Sequence, residues 1–307
     1  MPNDEMISAN HISVCICTYK RPQLLKRLFV ELGGQVTEGL FTYSLVVVDN
    51  DISKSAENVV SEYATSSTIS VRYCVEPLQN IALARNRAIE NADGDLIAFI
   101  DDDEFPAQDW LLTMFTALNS FRVAGILGPV KPYFESEPPE WVKKGAFFDR
   151  PSHATGYQMN SSETRTGNVL FDKHILRDVS TPFSAEFATG GEDVDFFRRM
   201  IEKKHRFVWC NEATVYEIVP PSRWKRSYLL KRALLRGSNF PKHRRNRLKN
   251  ILKSLIAVPC YALALPVLAI LGQHLFLTYL IKLCDHTARL LAFLGLKLVT
   301  QREMGSP

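Results

Sequence analysis

The sequence predicts an α/β fold, a mostly parallel sheet flanked by helices, followed by a basic, apolar helical tail. Three observations carry this. Short apolar runs alternate with amphipathic stretches at the spacing of strand–helix–strand units, which implies parallel strands joined by right-handed crossovers. Those runs end on polar or acidic residues, and open α/β sheets bind ligands at the carboxyl ends of their strands. Charge is also divided along the chain: residues 1 to 217 hold 31 acids and 21 Lys/Arg, a net of −10, whereas residues 218 to 307 hold 2 acids and 16 Lys/Arg, a net of +14. At 307 residues and 46% hydrophobic content, the chain can bury one full core and still leave a sizeable appendage.

Residues 12 to 19 read as the first strand, and Lys20, Arg21 and Pro22 lead into a helix through about Leu32, with Pro22 suited to the first turn. Residues 44 to 48 make a second strand ending on Asp49, Asn50 and Asp51. A helix over 55 to 64, a strand over 69 to 75 and a helix over 80 to 91 follow. Leu96 to Ile100 is an unbroken apolar run that reads as a buried strand and passes straight into Asp101, Asp102, Asp103 and Glu104, with Pro106 ending the stretch. After a helix over 109 to 121, residues 125 to 130 return to the sheet, and residues 131 to 166, rich in Pro, Gly, Ser and aromatics, have the character of a binding loop or lid. Thr166-Gly167-Asn168 and a Phe-rich stretch then lead to Gly190 and Gly191, after which Glu192, Asp193 and Asp195 fall in the first turn of a helix.

Three consecutive carboxylates repel one another, which costs stability unless a cation or a set of donors neutralises them. Oxygen-only ligands favour Mg²⁺ or Mn²⁺, ions that share their shell with substrate phosphates and water. A solvated acidic loop is the plain alternative. Acids in a first helical turn suit the dipole, but three exceed what capping needs, so one is a candidate general base. No GxGxxG follows the first strand and no GxxxxGK[ST] occurs, which argues against a dinucleotide dehydrogenase and a P-loop NTPase. The six cysteines show no CxxC pair and no His partner at metal spacing, so buried free thiols in a reducing compartment are expected. The N-terminus is polar and acidic without an apolar leader, which predicts a cytosolic catalytic part.

Taken in order, Cys17-Thr18-Tyr19-Lys20-Arg21-Pro22, Val46-Val47-Val48-Asp49-Asn50, Ala84-Arg85-Asn86-Arg87-Ala88-Ile89, Gly94 to Asp103, Thr166-Gly167-Asn168 and Gly190-Gly191-Glu192-Asp193 resemble the family 2 glycosyltransferases of GT-A fold over roughly residues 11 to 240. Val219 to Arg223 and Leu230 to Ser238 are similar to the tail of the bacterial exopolysaccharide subset, the succinoglycan-type glucosyltransferases among them. The resemblance implies inverting transfer of a sugar, glucose by preference, from a nucleotide diphosphate donor such as a UDP-sugar to an acceptor hydroxyl. It implies that Thr18 and Tyr19 line the base and ribose pocket, that Asp49 accepts a hydrogen bond from the pyrimidine edge, and that Arg85 binds the donor. Asp101 would contact the ribose and join the metal site; Asp103, or Asp102 in its place, would ligate the metal on the diphosphate. Asp193, the second acid of the Glu192-Asp193 pair, would be the catalytic base, with Asn168 on the acceptor side. No QxxRW motif follows, and Arg223-Trp224 is only an echo of it, so a single-addition enzyme is expected rather than a processive synthase.

The expected organisation is a catalytic domain over 1–217, with a nucleotide-sugar half over about 11–106 and an acceptor half over about 107–217. A basic helical segment over 218–253 and an apolar tail over 254–307 complete the chain. Residues 223 to 253 carry twelve Lys/Arg, including most of Lys242 to Lys249. Residues 254 to 281 then hold no charged side chain over 28 positions, which argues for membrane contact and against nucleic acid. Pro259 and Pro266 argue against a straight helix, and Arg289 and Lys297 among leucines suit a helix lying in the interface. A helical hairpin packed on the catalytic domain is the alternative. The expected place is the cytoplasmic face of the inner membrane, where anionic lipids attract the basic segment and Arg232 and Arg236 meet a polyprenyl-diphosphate-linked acceptor. A catalytically silent anchor in a polysaccharide assembly complex is the competing function; its acids would be free to drift, whereas Asp101 to Asp103 and Asp193 are all present. A nucleotidyltransferase lacks the Gly-rich loop it needs.

Overall fold

Nine helices and ten strands, with short 3₁₀ turns, are found among the described residues of the computed structural model, which are 10–187, 190–239, 247–296 and 298–299. The acidic N-terminus, the run from Lys242 to Arg245, Lys297 and Thr189 lie outside these residues. In order come β1 (Asn10–Thr18), α1 (Pro22–Gly33), β2 (Phe41–Asp49), α2 (Glu57–Ser66), β3 (Val71–Val75), α3 (Ile81–Glu90), β4 (Leu96–Ile100), β5 (Glu104–Pro106), α4 (Trp110–Phe121), β6 (Gly125–Leu127), β7 (Val130–Tyr133), α5 (Glu140–Gly145), β8 (Asn168–Asp172), α6 (Glu192–Glu202), β9 (Phe207–Trp209), β10 (Val215–Ile218), α7 (Arg226–Asn239), α8 (Arg247–Leu271) and α9 (Gln273–Phe293). They form two compact units, Met1–Lys131 with Arg150–Glu217, and Pro132–Asp149 with Ile218–Pro307.

The first unit is built on a seven-stranded sheet in the order β3-β2-β1-β4-β8-β6-β9. Its neighbours are parallel except at β8, which runs against both β4 and β6. The sheet is covered on both faces, which is why its strands read as continuous apolar runs. Ile12, Val14 and Ile16 face one core with Leu45, Val47, Leu96 and Ala98, while Cys15, Val46, Val48, Ile97 and Phe99 face the other. Helix α1 seals the first core with Leu25, Leu28, Phe29 and Leu32, an i, i+3, i+4, i+7 stripe. Each fully buried Leu or Phe contributes roughly 1.5–3 kcal/mol. Helix α6 seals the second core with Phe196, Phe197 and Met200. β5 pairs antiparallel with β10, placing Glu217 opposite Glu104, and β7 completes this smaller sheet.

The second unit is helical. Val142, Phe148, Val219 and Leu229 form its core with Trp141, Phe147 and Trp224. The apolar run over 254 to 281 is two helices rather than one segment: Gly272, at φ 149°, separates α8 from α9. Helix α8 continues through Pro259 and Pro266 without a break. Helices α7 and α9 approach closely at Gly237, where a Cβ would lie 2.3 Å from the Asp285 carbonyl oxygen. Leu248–Leu271 is long and apolar enough to cross a membrane by length and composition, and little of it is buried. Leu255, Leu263, Val267 and Ile270 are among its exposed residues. All six cysteines are free, but only Cys15 and Cys210 are buried and Cys260 is exposed, so burial does not account for every thiol.

Candidate active site

The carboxyl ends of β1, β2 and β4 lie side by side because their registers match, with Thr18 opposite Asp49 and Cys15 opposite Phe99. Because β8 runs the other way, its first residue, Asn168, pairs with Ile100 and reaches the same edge. Thr18, Asp49, Asp101 to Asp103 and Asn168 therefore share one rim of the sheet. Arg85 reaches it from α3, whose start is held by Asn80: its side chain accepts the Ala82 N–H at 3.0 Å, and its own N–H donates to Asn50 Oδ1 at 2.9 Å.

Three arginines neutralise the acids of this rim. Arg21 donates to Asp102 Oδ1 at 3.0 Å and to Asp103 Oδ2 at 3.3 Å. Arg85, buried, is ion-paired with Glu192 and stands 3.6 Å from Asp101. Arg150 is ion-paired with Glu217. Thr18 spends its hydroxyl on Asp102 at 2.8 Å, and Tyr19 lies half-buried beside it. Glu104 is buried and accepts the Asp101 N–H at 3.0 Å.

Negative charge is nonetheless in excess. Burial pushes the Asp102 carboxyl up to about 7, with Arg21 opposing and Asp103 adding to the shift. Burial drives Glu104 well above the usual carboxylate range, with Asp101 adding and Arg150 opposing. Asp101 and Glu192 are also raised, burial again leading and Arg85 opposing in both.

Asp193 is the second residue of α6, after Gly190 and Gly191 turn the chain at φ 117° and 101°, a left-handed conformation that favours glycine. Its Oδ1 accepts the Val194 N–H at 2.8 Å, and its charge acts on both Arg85 and Glu192. The structure thus joins Asp101, Arg85, Glu192 and Asp193 in one group. Asp195 belongs to the helix instead, holding Arg198 at 2.6 Å and Arg199 at 2.9 Å.

Two residues of the expected site are committed to internal bonds. Asp49 is fully buried: Oδ2 accepts from the Ala56 N–H at 2.7 Å and the Tyr73 hydroxyl at 3.0 Å, and Oδ1 from the Asp51 N–H at 3.1 Å. A pyrimidine edge would have to reach a carboxylate that has no exposed surface and already accepts from three groups of the fold. Asn168 accepts the Trp110 Nε1–H at 2.9 Å and donates to the carbonyls of Pro129 at 3.0 Å and Ala213 at 2.7 Å. It also lines a small cavity with Arg150, His153, Arg165 and Trp209. Arg232 and Arg236 belong to the second unit. Arg232 is exposed on α7, and Arg236 donates to Asp285 Oδ1 at 2.8 Å, a helix-to-helix clasp that Arg289 shares at 2.8 Å.

Arg21, Arg150, Glu104 and Glu217 also lie among the acids of this rim, and the sequence expectation leaves them without roles. The Lys-Arg-Pro motif carried a signal for Arg21. Nothing local marks Arg150, whose partner lies 67 positions away.

Among the described residues, no group of three or more His, Cys, Asp or Glu is arranged to hold a metal ion. A Mg²⁺ or Mn²⁺ that keeps phosphates and waters needs only one or two protein carboxylates. Asp101 and Asp103 supply such an oxygen-only pair, close enough for the charge of Asp103 to raise Asp101. The buried Glu104 Oε1 lacks a hydrogen-bond partner, and burial, with neighbouring carboxylates adding, raises Asp101 and Asp102; a divalent cation would offset both. The donor set fits such an ion.

The family model described as Glycosyl transferase family 2 matches residues 13–180. The chain is 32% identical over 242 residues to the succinoglycan biosynthesis protein ExoM of Rhizobium meliloti (strain 1021), covering 77% of this chain and 75% of that protein. Among solved structures, the mannosyltransferase PcManGT from Pyrobaculum calidifontis, in complex with GDP-Man and Mn²⁺, matches with a TM-score of 0.62 and 17% identity over 94% of this chain and 87% of that one. S. aureus TarS 1-349 in complex with UDP matches with a TM-score of 0.52 and 16% identity over 92% and 90%; of the longer TarS chain, this chain covers 39%. At these identities the two structures bear on the fold.

Proposed function

The chain belongs to glycosyl transferase family 2, and from that premise we propose that it moves a hexose, glucose by preference, from a UDP-sugar to a lipid-linked oligosaccharide during exopolysaccharide synthesis. The observation that carries this is the connected group at the sheet edge, Asp101–Arg85–Glu192 with Asp193 beside it. Arg85, with a cation held by Asp101, can receive a leaving diphosphate, and Asp193 an acceptor proton.

Thr18 and Tyr19 receive the nucleoside, with Asp49 shaping the loop beneath it and Asp101 meeting the ribose. Asp103, with Asp101, would hold a Mg²⁺ or Mn²⁺, which supplies positive charge to the departing diphosphate. Arg85 adds a fixed cation that needs no reorganisation as charge develops. Glu192 keeps Arg85 in place. Asp193 removes the proton from the attacking hydroxyl, and Asn168 shapes the acceptor side through the cavity it lines. ExoM's description as a succinoglycan biosynthesis protein supports the exopolysaccharide role. The UDP and GDP-Man/Mn²⁺ complexes of the fold neighbours support a nucleotide-sugar donor with a divalent ion. Helix α8, long and apolar enough to cross a membrane, supports membrane attachment; the cytoplasmic face, with Arg232 and Arg236 meeting an anionic headgroup, is part of the same proposal.

The test is transfer by the purified full chain, with Mn²⁺, from a panel of labelled nucleotide sugars to lipid-extract acceptor. Transfer from one UDP-hexose, lost on chelation, is expected. UDP binding without transfer from any donor would leave only the anchoring role.

A further inference from the structure

We propose that Arg21 competes with the divalent cation for Asp103, so that the ion binds firmly only together with the donor diphosphate. This rests on the metal-dependent nucleotide-sugar reading above. One guanidinium nitrogen of Arg21 spans both carboxylates, 3.0 Å from Asp102 and 3.3 Å from Asp103. Both acids are buried, so the guanidinium stands on the oxygen-only site that suits a hard cation. A guanidinium keeps its charge across the working pH range, and the contact ends only by displacement.

The backbone limits how far Arg21 can retreat. Lys20, in the left-handed region at φ 54°, donates its N–H to Ser55 Oγ at 3.1 Å, and Pro22 fixes the first turn of α1. The Arg21 carbonyl accepts the Leu25 N–H at 3.2 Å. The shorter contact to Asp102, which Thr18 also holds, gives the side chain a place to remain when Asp103 is released. A cation arriving alone must break the Asp103 contact and then share the site with a nearby positive charge. A cation arriving with a diphosphate brings negative oxygens that attract both ion and guanidinium, and the repulsion is screened. Metal and nucleotide then each tighten the other by the same factor.

The test is Mn²⁺ titration of the full chain in detergent, read by the free-Mn²⁺ electron paramagnetic resonance signal, with and without UDP. Arg21→Gln is expected to bind Mn²⁺ alone roughly tenfold more tightly than the natural protein, with UDP adding correspondingly less, a size within ordinary site-to-site coupling. Arg21→Lys, which keeps the charge, should stay close to the natural protein. Equal or weaker binding of Mn²⁺ alone by Arg21→Gln would overturn the proposal. If loss of Arg21 weakens the fold, the rise in melting temperature on adding Mn²⁺ alone gives a second reading: it should be larger in the variant, and an equal or smaller rise counts against the idea. Failure of both proteins to bind UDP would sink the nucleotide-sugar reading, while the Mn²⁺-alone comparison still decides for or against Arg21.

Discussion

Glu192 and Asp193 are adjacent acids with different surroundings. Glu192 is buried against Arg85, and burial raises its carboxyl even though Arg85 opposes the shift. Asp193 is only half-buried and follows a glycine turn that sets it beside the same arginine. This division suits Glu192 to positioning and Asp193 to proton removal. Asp193→Asn is expected to slow transfer by about 10²- to 10⁴-fold, the usual weight of a positioned general base. UDP affinity should stay within a few-fold. Parallel transfer and calorimetric titration check this, and near-normal turnover would strip Asp193 of the role.

At the scale of elements, β8 matters most. Its reversal brings Thr166-Gly167-Asn168 to the acidic rim, and the chain passes so close there that a Cβ on Gly167 would lie 2.7 Å from Glu104 Oε1 and 3.2 Å from Asp101 Oδ2. A methyl group there would push on the carboxylates of Glu104 and Asp101, which would have to shift to admit it. Gly167→Ala should cost about 1–3 kcal/mol in urea unfolding, the scale of overpacking, and weaken Mn²⁺–UDP binding by displacing Asp101. Unchanged stability and binding would mean that the strand yields without disturbing the acids. The glycine was legible in the sequence as part of a motif; the crowding behind it depends on the β4–β8 register.

For the whole molecule, the proposed contact with a lipid surface rests on the asymmetry of charge and the exposed apolar length of α8. Leu263 is 81% exposed and Leu255 56% exposed. The protein is expected in carbonate-washed membranes, and the double substitution Leu255→Lys with Leu263→Lys should move it toward the soluble fraction. Each charge near the middle of a span costs about 2.5–3.5 kcal/mol. Retention of the double variant in the membrane would remove α8 as the anchor.

By itself the sequence determined the alternation of strands and helices, the acidic edge, and the family. These rest on local periodicity and on side chains at strand ends, which depend on a few neighbouring residues. Residues 69 to 75 and 80 to 91 were legible for that reason, and β3 and α3 lie within them. The tertiary structure alone decided that β8 runs backwards, that Gly272 divides the apolar tail, and that Asp49 and Asn168 spend their polar atoms inside the fold. It also decided which arginine meets which acid: Arg21 meets Asp102 across 81 positions, and Arg85 meets Glu192 across 107. Such pairings are set by register and crossover, where burial makes an unpaired charge too costly to leave, and no window of neighbouring residues contains both partners.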